Sequence, residues 1–212
     1  MSKQEGTIYI VDDDEAVRAG LAELMRSVSL PVRTFASAQE FLEAYTPSWR
    51  GCLLLDIRMP GMSGLTLHER LAGRTGVLPV IFVTAHGDVS MAVDVMKLGA
   101  FDFIEKPVRG QALLDKVNRA LALSQEAHEQ GTQRREVQAK LERLTDRERE
   151  VLACVIADQK PKAIALKLGL SRKTVDVHIG RIREKLGVES ETQLVRLLYE
   201  SGVLQSIGTD PL

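Results

Sequence analysis

Between residues 7 and about 120, short apolar runs alternate with stretches of helical periodicity, and that alternation limits the fold more than any other feature of the chain. TIYIV at 7–11 precedes a helical pattern with Val17, Leu21, Leu24 and Val28 on one stripe. VRTF at 32–35 precedes one opened by Ser37-x-x-Glu40, a capping pattern. CLLLD at 52–56 precedes a helix through Leu65, Leu67 and Leu71. PVIFVTA at 79–85 precedes one over about 88–98, and FDFIE at 101–105 precedes one from about 109 onward. Five strands alternating with five helices make a doubly wound α/β domain around a five-stranded parallel sheet. CLLLD has no in–out alternation, as expected of a strand buried on both faces.

The carboxyl ends of these strands carry the candidate chemistry. Strand one ends in Asp12 and Asp13, strand three in Asp56, strand four in Thr84, and strand five in Lys106 followed by Pro107. In open α/β sheets ligands bind outside those ends, so these side chains are expected to converge on one crevice. Three carboxylates drawn together repel one another and lose solvation, and a divalent cation is the simplest compensation. Mg2+ suits such a set because it takes oxygen ligands, keeps waters, and uses one or two carboxylates plus a phosphate oxygen. Lys106 supplies a point charge, and Thr84 a hydroxyl, for a phosphoryl oxygen. The set fits phosphoryl transfer onto Asp56 as nucleophile. Singly, Asp12 and Asp13 would be helix-opening residues, Thr84 a turn residue and Lys106 a solvated lysine; their recurrence at successive strand ends favours the site. Asp14 and Glu15 read as helix-start residues.

The rest of the chain is patterned as helices only. Residues 121–140, polar and without proline, read as a helical linker able to hinge at Gly131, a glycine that costs about 1 kcal/mol inside a helix. Residues 141–204 read as an all-α domain of four helices, with 205–212 a C-terminal tail. Thr145-x-x-Glu148 opens its first helix, Pro161 begins the second and Gly169 ends it. Ser171 caps a third that runs to about Leu186, and Ser190-x-x-Gln193 opens the fourth. The middle pair, joined by a tight turn, is a helix-turn-helix arrangement. In the third helix Val175, Ile179, Ile182 and Leu186 form the buried stripe, and the opposite face carries Lys173, Val177, Gly180 and Glu184, flanked by Asp176 on one side and Thr174 and Arg181 on the other. Val177 suits a thymine methyl, Gly180 lets a base edge approach, and Lys173 and Arg181 suit bases or phosphates. Residues 171–187 hold five basic residues, Lys185 among them, against two acidic, although the chain as a whole has 28 Lys and Arg against 29 Asp and Glu. That local excess fits phosphate contacts with double-stranded DNA.

No segment approaches the length of a membrane span, and the N-terminus lacks the apolar core of a signal peptide, so a cytoplasmic protein with no membrane engagement is expected. Cys52 and Cys154 read as reduced core residues.

VDDD at 11–14, LLLDIRMPGMSG at 53–64, VTA at 83–85 and the pair Lys106-Pro107 together resemble the receiver domain of bacterial two-component response regulators, a flavodoxin-like fold, from residue 7 to about 120, within an expected receiver domain of residues 1–120. The resemblance implies that Asp56 accepts phosphate from a cognate sensor histidine kinase. It implies that Asp12, Asp13, Asp56 and the backbone carbonyl of Arg58 hold Mg2+, that Thr84 and Phe103 move on phosphorylation, and that the Lys106-Pro107 bond is cis. LTDREREVL at 144–152 with SRKTVDVHIGRIREKLGV at 171–188 resembles the LuxR-type DNA-binding domain. The two-domain layout looks most like nitrogen-fixation and aromatic-catabolism regulators.

The expected protein is therefore not an enzyme but a phosphorylation-dependent transcription factor. It would form a homodimer on phosphorylation, through a receiver surface around the fourth helix and fifth strand and through the last helix. It would bind promoter DNA and work with RNA polymerase. Arg58 and His86, two residues beyond Asp56 and Thr84, would flank the crevice and set the phosphoryl lifetime. Two other readings remain: a constitutive DNA-binding regulator with a degenerate receiver, and an aspartyl-phosphate phosphohydrolase. The second lacks the usual acid/base carboxylate two residues after the nucleophile, where Arg58 stands.

Overall fold

A computed structural model describes residues 6–72, 78–85 and 89–204. The chain divides into two compact units, 1–129 and 130–212. In the first, β1 (Thr7–Val11), β2 (Val32–Phe35), β3 (Gly51–Asp56), β4 (Val80–Thr84) and β5 (Asp102–Glu105) form one sheet in the order β2-β1-β3-β4-β5, every pair parallel. They alternate with α1 (Glu15–Ser27), α2 (Ala38–Ala44), α3 (Gly64–Leu71), α4 (Val89–Lys97) and the start of α5 (Gly110–Glu142). The strand order reverses at β1 and β3, the place where such sheets open a crevice.

Apolar side chains cover both faces of β3, all of whose residues are buried. On one face Ile8, Cys52, Leu54 and Ile81 pack with α1 and α5; on the other Tyr9, Leu53, Leu55 and Phe82 pack with α2, α3 and α4. The second face carries an aromatic stack that periodicity gave no sign of. Trp49 lies 4.2 Å from Tyr9, 5° from parallel, and the Arg33 guanidinium sits 4.4 Å over the Trp49 ring.

Local signals explain the helix ends, with corrections. Asp14, not merely an early acidic residue, is the cap of α1 and accepts from the amides of Ala16 and Val17. Val28, the last residue of the apolar stripe, is the exposed C-cap, and Ala22 and Met25 are buried beside Leu21. At α2 and at α9 (Glu191–Glu200) the serine caps as expected, but Glu40 and Gln193 reach back to the amides of Ala36 and Glu189, one residue before the cap. His86, and the expected start of the fourth helix at 88, lie outside the described residues.

Residues flanking the expected boundaries at 120 and 140 pack into the two cores. Leu121 is in the first unit's core, and the buried Ser124 hydroxyl accepts from the Gly51 amide. Val137 and Leu141 are in the second unit's core. Gly131 lies inside α5, which is helical throughout.

The second unit packs α6 (Asp146–Ile156), α7 (Pro161–Leu168), α8 (Arg172–Leu186) and α9 around Val151, Ile164, Val175, Ile179, Ile182, Leu194 and Leu198. Thr145 and Glu148 form the full reciprocal capping box, and Pro161 and Gly169 stand at the first and the terminating position of α7. No helix among the described residues is long and apolar enough to cross a membrane.

Candidate phosphoacceptor and nucleic-acid sites

Register brings the crevice together. Val11 pairs with Leu55, so the next residues, Asp12 and Asp56, stand side by side at the ends of β1 and β3, and Thr84 and Lys106 follow at the ends of β4 and β5. The Lys106 ammonium bridges the two carboxylates, 2.7 Å from Asp12 Oδ2 and 2.8 Å from Asp56 Oδ1. The Arg58 amide donates to Asp56 Oδ2 at 2.7 Å, the Asp14 amide to Asp12 Oδ1 at 3.0 Å, and the Arg18 guanidinium to the Asp12 carbonyl at 2.7 Å. Arg18 was not foreseen; its place one turn into α1 was the available signal. Gly64 answers to the same crowding: a Cβ there would fall 2.0 Å from the Asp56 carbonyl oxygen, where the loop after β3 folds back.

Asp12 and Asp56 are 1% and 6% exposed. Burial raises the Asp56 carboxyl above the usual range, against the pull of the Lys106 bond. Burial works against the Lys106 charge too, but its bonds to both carboxylates prevail and hold it above the ordinary value. One ammonium serves two carboxylates, so the lysine is over-supplied with negative charge and each acid under-supplied with positive charge. That deficit of positive charge is one a hard divalent cation beside the two carboxylates would relieve. Asp13 stands exposed at the crevice edge and makes no hydrogen bond to Asp56 or Lys106 among the described residues. Thr84 is buried, and its carbonyl accepts from the Lys106 amide at 2.7 Å. Phe103 is half-buried against the cluster that includes Phe82 and Val95, and the Lys106-Pro107 bond is cis.

In the second unit the buried side of α8 is Val175, Ile179, Ile182 and Leu186, as its spacing indicates. Lys173, Asp176, Val177 and Arg181 are exposed, and Thr174 is tied into the cap by hydrogen bonds to the Ser171 hydroxyl. A Cβ on Gly180 would meet nothing within 4 Å, so no packing inside the chain explains its missing side chain. Lys185 departs from the expected DNA-facing set: its ammonium is bound to the buried Glu148 carboxylate at 2.6 Å and to the Arg143 carbonyl at 3.0 Å.

Residues 8–118 match the response regulator receiver domain, and residues 142–198 match the luxR family of bacterial regulatory proteins. The chain belongs to the response regulators of two-component systems. It is 44% identical over 207 residues to the transcriptional regulatory protein TdiR of Thauera aromatica, covering 97% of this chain and 91% of that one. It is 41% identical over 204 residues to the transcriptional regulatory protein FixJ of Azorhizobium caulinodans, covering 96% and 97%. The solved structure of the response regulator StyR superposes with a TM-score of 0.82 at 42% identity, covering 92% of this chain and 99% of that one. This response regulator is thus a DNA-binding transcriptional regulator rather than an enzyme, with the phosphorylation-dependent mode of its family.

Proposed function

We propose that Asp56 accepts a phosphoryl group from the phosphohistidine of a sensor kinase and that the modified chain dimerises on promoter DNA. The observation that carries this is the Lys106 ammonium bridging the buried Asp12 and Asp56 carboxylates at the strand ends. An Asp56 oxygen forms the new O–P bond as the donor's P–N bond breaks and its imidazole leaves. Lys106 neutralises charge on the phosphoryl oxygens and Thr84 donates its hydroxyl to one of them. Asp12, Asp13, Asp56 and the Arg58 carbonyl would hold Mg2+, which would supply further charge neutralisation there. Up to about two added negative charges then favour the position of Thr84 that bonds the phosphoryl group, with Phe103 rotated inward behind it.

Val93, Met96 and Leu98, exposed on and just after α4, support pairing of receivers there; Val195 and Tyr199, exposed on α9, support pairing of the second unit. Two α8 helices about 34 Å apart would enter successive major grooves, with Lys173, Thr174, Asp176, Val177, Gly180 and Arg181 facing the DNA. The promoter-bound dimer works in the cytoplasm with RNA polymerase.

Incubation with a small phosphodonor and Mg2+, followed by intact-mass measurement, tests the first step. A gain of one phosphoryl group, about 80 Da, that needs Mg2+ and is absent from Asp56→Asn is expected. No gain in the folded wild-type chain refutes the phosphoacceptor assignment and favours the constitutive DNA-binding reading.

A further inference from the structure

The C-terminal ends of α5 and α8 hold each other. Lys140, in the last turn of α5, donates its ammonium to the carbonyl of Leu186, the final residue of α8, at 3.1 Å. Lys185, in the last turn of α8, donates to the carbonyl of Arg143, just beyond α5, at 3.0 Å. The last carbonyls of a helix lack partners within it, and its C-terminal end is the negative end of its dipole. Each lysine therefore satisfies an orphan acceptor, and compensates the dipole, of the other helix. The same Lys185 ammonium is anchored by Glu148 at the start of α6, and Gly187 turns the chain away beside Lys140 with φ +74°.

We infer that this reciprocal clasp fixes the tilt of the recognition helix, with Lys140 as a positioning residue for sequence discrimination although it does not touch DNA. The inference rests on α8 being the helix that reads bases. Base contacts need side chains placed to within fractions of an ångström, whereas phosphate contacts by long flexible side chains tolerate a small tilt. Lys140 lies N-terminal to the luxR-family segment, on the helix that enters from the receiver, so the device belongs to this two-unit layout. Because the first half of α5 is built into the receiver's core through Leu113, Val117 and Leu121, the clasp is also where a shift of that helix would reach α8.

The test uses the full-length protein and a duplex selected by it from a random pool, with fluorescence anisotropy against the selected and a scrambled duplex over a salt series. Lys140→Met keeps the apolar stem and removes the donors; Lys140→Arg keeps charge and donors. Lys140→Met is expected to lose on the order of tenfold affinity for the selected duplex, with non-specific affinity and salt slope unchanged, and Lys140→Arg is expected to recover most of it. Equal losses on both duplexes with a salt slope smaller by about one would identify a phosphate contact and overturn the inference. Unchanged discrimination, with or without a fall in melting temperature, would also overturn it. Val177→Ala separates the two assumptions: if it too leaves the selected affinity unchanged, α8 is not the reading helix; if it weakens that affinity while Lys140→Met does not, the clasp alone is wrong.

Discussion

Among the described residues, lysines meet buried carboxylates at two sites, and the two differ in stoichiometry. In the second unit Lys185 meets one carboxylate, Glu148, which also accepts from the Thr145 amide. Burial would raise the Glu148 carboxyl, but the Lys185 and Thr145 bonds outweigh it and hold the group below its ordinary value. In the receiver Lys106 meets two, Asp12 and Asp56, and the Asp56 carboxyl remains raised. A balanced pair is a fastening. An unbalanced one leaves a carboxylate short of positive charge, which is how a group is kept ready to take up a cation and a phosphoryl group.

The largest expected effect comes from removing the receiver's lysine. Lys106→Met should slow phosphoryl uptake by Asp56 by roughly 10²–10³-fold, the usual loss when a preorganised donor to a developing charge is deleted. Mass-resolved time courses measure it. A loss below about threefold would mean that the bridge is merely structural, like its counterpart.

Next is the fastening. Glu148→Ala leaves the Lys185 ammonium in a half-buried place without its carboxylate and should destabilise the second unit by about 3 kcal/mol. Pairing Glu148→Leu with Lys185→Met should recover most of that, since replacing a whole buried pair by apolar groups is often neutral. Denaturant unfolding of the wild type, Glu148→Leu, Lys185→Met and the double variant closes the cycle; full additivity would show that the pair is not coupled.

The receiver site was the more legible of the two in the sequence. Asp12, Asp56, Thr84 and Lys106 each sit at the end of an apolar run, and a parallel sheet gathers strand ends without any further information. Register then made Asp12 and Asp56 neighbours. The second unit's caps and buried stripe were legible too, because Thr145, Gly169, Ser171 and the 3.6-residue period act locally. What escaped were partners far apart in the chain. Lys185 reads as one more base on a DNA-facing helix until α6 places Glu148 under it, 37 residues away. The Arg33–Trp49–Tyr9 stack joins an edge strand, a loop and the central sheet, and no periodicity encodes that. Gly131 read as a hinge from propensity, yet it lies inside the helical run of α5.

The two carboxyls should also respond to acid with opposite signs. Asp56 is raised when folded, so the native receiver binds its proton more readily than the unfolded chain does. Its contribution to stability therefore falls as pH rises from the ordinary carboxylate value through the raised one. Glu148 is lowered, so its contribution is present above the ordinary value and is lost as pH falls through the folded value. The single tryptophan, Trp49, reports on the receiver alone. Asp56→Asn should remove part of the pH slope of the Trp49 unfolding transition and stabilise the receiver at pH 7 by about 1 kcal/mol, while leaving the acid loss of the second unit intact. A fall in receiver stability at pH 7 would mean that Lys106 needs Asp56 more than burial penalises it.

The smallest effect tests the helix that runs between the two sites. A Cβ on Gly131 would meet nothing within 4 Å, and the Gly131 carbonyl already accepts from the Arg135 side chain at 3.2 Å. Alanine there adds no clash and removes backbone freedom that the unfolded chain otherwise keeps, so Gly131→Ala should stabilise by about 0.5–1 kcal/mol. Thermal unfolding measures that gain, and DNA binding before and after treatment with phosphodonor measures its consequence. If α5 acts as a continuous rod, the phosphorylation-dependent change in affinity should survive unaltered. A stabilised protein that no longer responds to phosphodonor would instead assign Gly131 to a bend required during switching, and the lysine crevice and the recognition helix would then be coupled by the unwinding of α5 rather than by its stiffness.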